Sequence, residues 1–287
     1  MMKKRSLFYS LLLLSLALLL QGCIQLRPNE TDTGREQPTL PEDPMHEYET
    51  AVYVYQSDVD EDVLLTELSS EYLLRANKVY ALTQDYAPET LSKLTCATYG
   101  GKTVELELRT ARALYEMLDE MRADGVTDIM VTSGYRSYDY QEDLYTYYFS
   151  IESVTISQEA YRYFGYAYIK STYLDKGADR LSAADARRLV ASYSAEPGKS
   201  EHQTGLCLDF VTSTAGLTVA FEETEAFAWL SENAYKFGFI LRYPEDKEDV
   251  TGYTYEPWHY RFVGREAATD IYFGNLTLEE YLGAVQP

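Results

Sequence analysis

Positive charge, histidine and cysteine are all scarce in this 287-residue chain. Twenty-five Lys and Arg face 46 Asp and Glu, a formal charge of −21, and that imbalance argues against a nucleic-acid partner. Phosphate binding draws its strength from counterions released by a basic surface, which this composition does not supply. Any site for an anionic substrate must therefore gather its few cations locally. Three cysteines, Cys23, Cys96 and Cys207, are too few for a disulfide framework, and none forms the CxxC pair of a zinc ribbon. Histidine is limited to His46, His202 and His259. What the chain does have is an ordinary globular balance, 46% hydrophobic and 25% charged, which excludes wholesale disorder. Its length suits one large domain or two small ones.

The first residues read as an address. Lys3, Lys4 and Arg5 precede the uncharged apolar run Leu7–Leu20. As a helix that run would reach about 21 Å, short of the ~30 Å hydrocarbon core, which favours a signal peptide over a stable span. Leu20-Gln21-Gly22-Cys23 then resembles a bacterial lipobox, whose cysteine is acylated and becomes the mature N-terminus. Residues 1–22 are accordingly expected to be a lipoprotein signal peptide, with Cys23 lipidated and the protein held outside the cytoplasm on the cell membrane. Residues 23–47 carry four of the nine prolines among Thr, Glu, Asp and Asn, and read as a flexible tether. His46 falls at its end and is expected to be solvated.

Residues 48–287 read as one mixed domain. Val104–Asp124 places Leu108, Ala111, Leu114, Leu118 and Met121 at helical spacing, and Gly125 would end that helix. A short buried strand is expected over 127–132, helices over 139–149, 183–193 and 223–237, and strands over 206–211 and 258–263. The expected helices gather early and the expected strands late, which favours an α+β fold over an alternating parallel sheet. Tyrosine is abundant, 28 residues with ten between Tyr138 and Tyr173. Those ten could wall a cleft, but ordinary amphipathic helix surface is the expectation for most of them.

Chemistry concentrates around the second and third histidines. Ser200-Glu201-His202-Gln203-Thr204-Gly205-Leu206-Cys207-Leu208-Asp209 puts His202 in a glycine-flanked turn and Asp209 on the strand that follows. Strand alternation sends Cys207 and Asp209 to one face, where a buried carboxylate needs a charged partner or a metal. In Glu256-Pro257-Trp258-His259-Tyr260-Arg261-Phe262, His259 and Arg261 share the face opposite Trp258, Tyr260 and Phe262. Two His and one Asp suit catalytic Zn²⁺, because three protein ligands leave a fourth position for water. Zinc lowers the pKa of that water toward ~7, and Glu256, the spare carboxylate, could take its proton. A Ser/His/Asp triad through Ser200 or Ser133 is the rival assignment, weakened by the lack of a nucleophile elbow. Two satisfied histidines with the Asp serving as an N-cap is the other alternative. Arg136, in Ser133-Gly134-Tyr135-Arg136-Ser137, could meet either a developing oxyanion or a substrate carboxylate.

Ser-Gly-Tyr-Arg-Ser, Ser-x-His-x-x-Gly-x-x-x-Asp and Glu-x-Trp-His, in that order, resemble the VanY-type D-alanyl-D-alanine carboxypeptidases. These are part of the zinc peptidase superfamily that includes lysostaphin-type enzymes and hedgehog domains. The likeness extends upstream through residues 73–78 and 86–91, so it covers about 70–265. It implies a central antiparallel sheet carrying Zn²⁺ on its surface and flanked by helices. It matches His202, Asp209 and His259 to the metal ligands, Glu256 to the catalytic base, and Arg136 to an arginine near the scissile carbonyl. Gln141 and Ser200 match positions that would grip the substrate's C-terminal end. Cys207 stands where the family usually has alanine and is expected to be buried and inert.

The reading is a lipid-anchored zinc carboxypeptidase that trims D-alanine from peptidoglycan stem peptides. Its alternatives are an L,D-carboxypeptidase acting on tetrapeptide stems and a catalytically silent, zinc-containing wall-binding lipoprotein. Retention of Glu256 weighs against the silent binder, which needs no base. The subsite walls that separate D,D from L,D specificity would come from about residues 150–196. If Cys23 carries the anchor, Cys23→Ser should move the protein from the membrane fraction to the soluble exported fraction with its intrinsic activity unchanged. Retention in the membrane fraction would assign the anchor to the apolar run instead.

Overall fold

The computed structural model describes residues 55–64 and 71–285. The expected signal peptide, Cys23 as the expected lipidation site, the expected tether and His46 lie outside those residues. Ten helices and six strands succeed one another there: α1 Glu61–Leu64, β1 Leu91–Lys93, β2 Glu105–Glu107, α2 Leu108–Ala123, β3 Met130–Ser133, α3 Tyr138–Glu152, α4 Gln158–Phe164, α5 Tyr166–Thr172, α6 Ala183–Tyr193, β4 Cys207–Val211, α7 Glu225–Asn233, β5 Phe239–Leu241, α8 Glu248–Thr251, β6 His259–Phe262, α9 Arg265–Gly274 and α10 Leu278–Val285. Short 3₁₀ turns join several of them.

A four-stranded sheet in the order β3-β4-β6-β5, antiparallel throughout, lies at the centre. This is the antiparallel α+β arrangement expected above. One face packs on α2, whose Ala111, Leu114, Met117, Leu118 and Met121 recur at helical spacing and meet Val131, Leu208, Phe210, Tyr260 and Phe262. Those sheet residues alternate with Cys207, Asp209, His259 and Arg261, which therefore point to the other face. The β4–β6 register sets Asp209 opposite His259 and Cys207 opposite Arg261. Two motifs far apart in sequence are thus joined by one pair of strands.

The order of elements departs from expectation. The β1–β2 hairpin precedes the first long helix, and α9 and α10 follow the last strand. Residues 105–107 are strand rather than helix, because they pair with Leu91–Lys93 and because Glu107 caps α2. Its carboxylate accepts from the Arg109 and Thr110 amides at 3.0 and 2.9 Å, satisfying donors that a helix start leaves open. The helix expected over 223–237 is cut to α7 and a 3₁₀ turn that ends at Gly238 (φ 83°). Helices α4 and α5 and strand β5, none of them expected, complete the domain.

Helices α3 to α6 form a lobe with its own apolar cluster of Ala160, Ile169, Tyr173, Leu181, Ala186 and Leu189. Most of its tyrosines do serve as packing and helix surface: Tyr161 and Tyr173 line that cluster, and Tyr147, Tyr163 and Tyr166 are exposed. Among the described residues no helix is long and apolar enough to cross a membrane.

A buried ionic web ties the turn before β4 to the rest. Glu201, fully enclosed, accepts on Oε1 from Arg242 Nε and Arg261 Nη1, both at 2.8 Å. Arg242 also donates twice to Glu279 on α10, at 2.8 and 2.6 Å. Arg261 donates to the Tyr72 and Leu74 carbonyls at 2.9 and 2.7 Å, which is how the upstream segment attaches to the sheet. Removing one member of such a web leaves a buried charge without compensation. Glu201→Gln should lower stability by about 3–5 kcal/mol in urea denaturation. A loss below about 1 kcal/mol would mean that Glu279 and the backbone carbonyls suffice for both guanidiniums.

Candidate active site

The turn Glu201–Thr204 ends in Gly205, whose φ of 69° is left-handed and whose surroundings leave no room for a side chain. An added Cβ would come within 2.9 Å of Pro88 Cγ and 3.0 Å of the Glu107 nitrogen. That close approach lets Glu107 N–H donate to the Gly205 carbonyl at 2.9 Å, and Gln203 Nε2 donates to the Thr83 carbonyl at 2.9 Å. The loop after β3 is strapped to the same turn, because Arg136 N–H donates to the His202 carbonyl at 3.0 Å. His202 Nδ1 lies 2.7 Å from the Gly134 carbonyl. A carbonyl only accepts, so Nδ1 carries the proton and the lone pair of Nε2 faces the sheet.

Asp209 sits between the two imidazoles. Its Oδ2 is 3.3 Å from His202 Nε2, and its Oδ1 is 3.0 Å from His259 Nδ1. All three side chains are buried, and Oδ1 has no hydrogen-bond partner. The pocket favours positive charge. Burial opposes ionisation of Asp209, yet His202 and His259 outweigh it and hold its carboxyl well below the usual range. Burial likewise opposes protonation of His202 and His259, but Cys207 and Asp209 outweigh it and both imidazoles shift upward. Protons and a metal ion compete for the same lone pairs. Convergent imidazole nitrogens around a carboxylate oxygen left without a hydrogen bond fit the donor set of Zn²⁺.

Glu256 stands at the rim, with Oε2 3.7 Å from His259 Nδ1 and 15% of its side chain exposed to the cleft. Burial pushes its carboxyl up to about 7, and Asp209 adds to the rise while His259, His202 and Arg136 pull against it. A carboxylate titrating there can both accept and return a proton near neutral pH. Arg136 donates to Ser133 Oγ at 3.1 Å and Gln141 Oε1 at 2.9 Å, and its Nη2 reaches Asp209 Oδ2 at 3.4 Å.

These groups open onto a cleft of about 480 Å³ that Ser200 also lines, with Tyr140, Tyr148, Tyr193, Leu217 and Trp258 among its walls. Two of the ten tyrosines in the rich stretch, Tyr140 and Tyr148, thus do line a cleft. Lys102 is a lining cation that the motifs did not point to. Gln141 does not line the cleft. It is 1% exposed, and its amide is used on Arg136 and on the Ala195 carbonyl at 2.7 Å, so its place suits holding Arg136 rather than gripping substrate.

Two further residues come into the site that are not among the expected site residues. Glu201 Oε2 lies 3.8 Å from His259 Nε2, and neither atom has another hydrogen-bond partner. A carboxylate behind a ligating imidazole orients the ring and raises its basicity. No local pattern could expose this, since Glu201 shows its role only through Arg242 and Arg261. Cys207 is buried as expected, but its sulfur joins the imidazole nitrogens of His202 and His259 within 4.8 Å instead of packing among apolar groups. Both Cys96 and Cys207 are free thiols.

Comparison with known proteins places this geometry in context. The family model of VanY, D-alanyl-D-alanine carboxypeptidase, matches residues 103–265. The chain is 34% identical over 239 residues to the putative carboxypeptidase YodJ of Bacillus subtilis (strain 168), covering 81% of this chain and 75% of that protein. It is 40% identical over 177 residues to a D-alanyl-D-alanine carboxypeptidase of Enterococcus faecalis (strain ATCC 700802 / V583), spanning 62% of this chain and 55% of that one. Among solved structures it resembles the LD-carboxypeptidase LdcB, with a TM-score of 0.61, 33% identity and coverage of 80% and 94%. It also resembles the D,D-pentapeptidase VanY of a VanB-type resistance cassette in complex with Zn(II), with a TM-score of 0.55, 34% identity and coverage of 74% and 99%. If the three ligands are as drawn, His202→Ala, Asp209→Ala and His259→Ala should each lose bound zinc by elemental analysis, while Glu256→Gln keeps it. Zinc loss in Glu256→Gln would make Glu256 a ligand.

Proposed function

The chain belongs to the VanY family of D-alanyl-D-alanine carboxypeptidases, and from that membership we propose that it removes the C-terminal D-alanine from peptidoglycan stem peptides. It is a zinc metallocarboxypeptidase. The observation that carries the reading is the meeting, in one cleft, of Asp209 between two imidazoles with Glu256 and Arg136 beside it.

His202, Asp209 and His259 would hold the metal, which when bound supplies a Lewis acid for the scissile carbonyl and a water of lowered pKa. Glu256 takes the proton of the attacking water and keeps it on its carboxylate. It then returns that proton to the nitrogen of the departing D-alanine, so one proton serves both halves of the hydrolysis. Arg136, anchored by Ser133 and Gln141, offers a fixed positive charge to the carbonyl oxygen as charge grows there. Ser200 and Lys102 line the cleft wall and would take the substrate's carboxylate. The stem peptide would lie along Tyr140, Tyr148 and Tyr193.

The same reading sets the protein outside the cytoplasm, tethered through lipidated Cys23. Its support is the basic n-region, the short apolar run and the lipobox-like Leu20–Cys23 stretch.

Incubating zinc-loaded protein with pentapeptide and tetrapeptide stems, followed by mass spectrometry, tests the specificity. Loss of one alanine from the pentapeptide is expected. Cleavage confined to the tetrapeptide would transfer the protein to L,D-carboxypeptidases, and no cleavage of either would leave a wall binder.

Glu256→Gln should cut kcat by at least ~10²-fold, and in the wild type the acid limb of kcat/KM should lie at or below about 7. The sign follows from the chemistry. The base works ionised, so activity falls as pH drops through its pKa, and a bound dication can only lower that pKa. A limb above 7 would belong to another group.

Arg136→Ala should lower kcat with KM nearly unchanged, because its interaction is made mainly in the transition state. A raised KM at constant kcat would make Arg136 a substrate clamp.

A further inference from the structure

We propose that Glu152 is a positioning residue for substrate: it holds the Tyr193 hydroxyl and so fixes the Tyr148–Tyr193 pair that walls the cleft. The inference rests on the proposed function, which lays the stem peptide along that wall. Both rings line the cleft, and Glu152, which does not, is 5% exposed. Tyr148 and Glu152 stand one turn apart on α3, and Tyr193, the last residue of α6, meets both. Its ring packs edge-on against Tyr148 with centroids 5.4 Å apart, and its hydroxyl donates to Glu152 Oε1 at 3.4 Å. Burial, with the Glu152 charge adding to it, holds the Tyr193 phenol above its usual range, so the donated proton stays on it. Glu152 Oε2 accepts from Ser157 Oγ at 2.6 Å, and that same oxygen of Ser157 caps α4 by accepting from the Ala160 amide. One carboxylate thus joins α3, the start of α4 and the end of α6.

Stability alone does not account for Glu152. Among the described residues no Lys, Arg or His pairs with it, and it closes α3, where the helix end already carries partial negative charge. Two hydroxyl donors only partly offset taking a carboxylate out of water. Asp185, in the same lobe, shows what a scaffold carboxylate looks like. It lies in the first turn of α6, pairs with Arg188 at 3.1 Å and accepts from the Tyr168 and Tyr173 hydroxyls, neither of which lines the cleft. Glu152 has neither the favourable helix end nor the cation, and what it reaches instead is a ring of the cleft wall. A buried group retained against stability is the pattern of a functional site. With its hydroxyl held, the Tyr193 ring is ordered before the peptide arrives, so less side-chain entropy is lost on binding.

The test is a double-mutant cycle of Glu152→Leu with Tyr193→Phe in the zinc-loaded protein. Kd for a pentapeptide stem is read by calorimetry in the Glu256→Gln background, where turnover is suppressed, and kcat and KM are read with Glu256 intact. Each single variant should raise Kd and KM about two- to tenfold, the range for ordering one side chain, with kcat and zinc content held. The double variant should be no weaker than either single one, because both remove the same link. The melting temperature of Glu152→Leu should be at or above that of the parent. Should Glu152→Leu fail to fold, Glu152→Gln takes its place in the cycle with the same expectation for Kd. An unchanged Kd, additive losses, or a fall in kcat that follows a lowered melting temperature overturns the proposal. A wild type that binds the stem without cleaving it refutes the hydrolytic reading alone, and the Kd cycle still decides on Glu152. Protein that binds no stem overturns both.

Discussion

Two guanidiniums share one buried carboxylate, and the position of the candidate metal site follows from that sharing. Arg242 at the end of β5 and Arg261 on β6 both converge on Glu201 Oε1, which immobilises the turn that carries His202. The second oxygen of Glu201 faces His259, so the web reaches the other imidazole as well. Burying these charges is costly on its own, and each is tolerated because Glu279 and the carbonyls of residues 72 and 74 complete its hydrogen bonds. The last helix and the segment before the first strand are thereby joined to a single acidic side chain. Ligand geometry in this domain is a product of long-range ionic contacts more than of local turn preference.

The same bookkeeping explains how so acidic a protein can receive a substrate that ends in a carboxylate. Three acidic side chains line the cleft, yet few of their charges are left to repel. Glu201 is neutralised by two arginines, Asp209 lies between two imidazoles, and burial lifts Glu256 to the edge of neutrality. Arg136 and Lys102 are then the local cations that the overall composition makes necessary.

The residues expected to form the ligand set come together in the fold because each half of the pattern is compact. His202 and Asp209 are separated by one turn and one strand step, and Glu256 and His259 sit at the mouth of another strand. Antiparallel pairing of those two strands does the rest. The α+β class was also legible, since α2, α6, β4 and β6 have clear periodicity. Strand β5 was not, because three residues give no alternation to detect, and Val104–Glu107 mimicked a helix start because its apolar spacing fits both periods. Glu201 looked like surface acid beside a ligand, and only a folded chain brings Arg242 and Arg261 to it. Gln141 matched a motif, but sequence likeness carries no information about which neighbour uses up an amide. Cys207 was expected to be inert because its size suits packing, whereas its direction along β4 decides what it touches.

The lobe of helices α3 to α6 keeps its apolar cluster separate from the one beneath the sheet. A cleft whose reactive floor rests on one core and whose aromatic wall rests on another can evolve on two schedules. Tyr148 and Tyr193 belong to helices of the lobe, whereas the register that aligns Asp209 with His259 belongs to the sheet. Selectivity in such an architecture is inherited as an exchangeable part, while the hydrolytic centre stays under the constraint of the sheet.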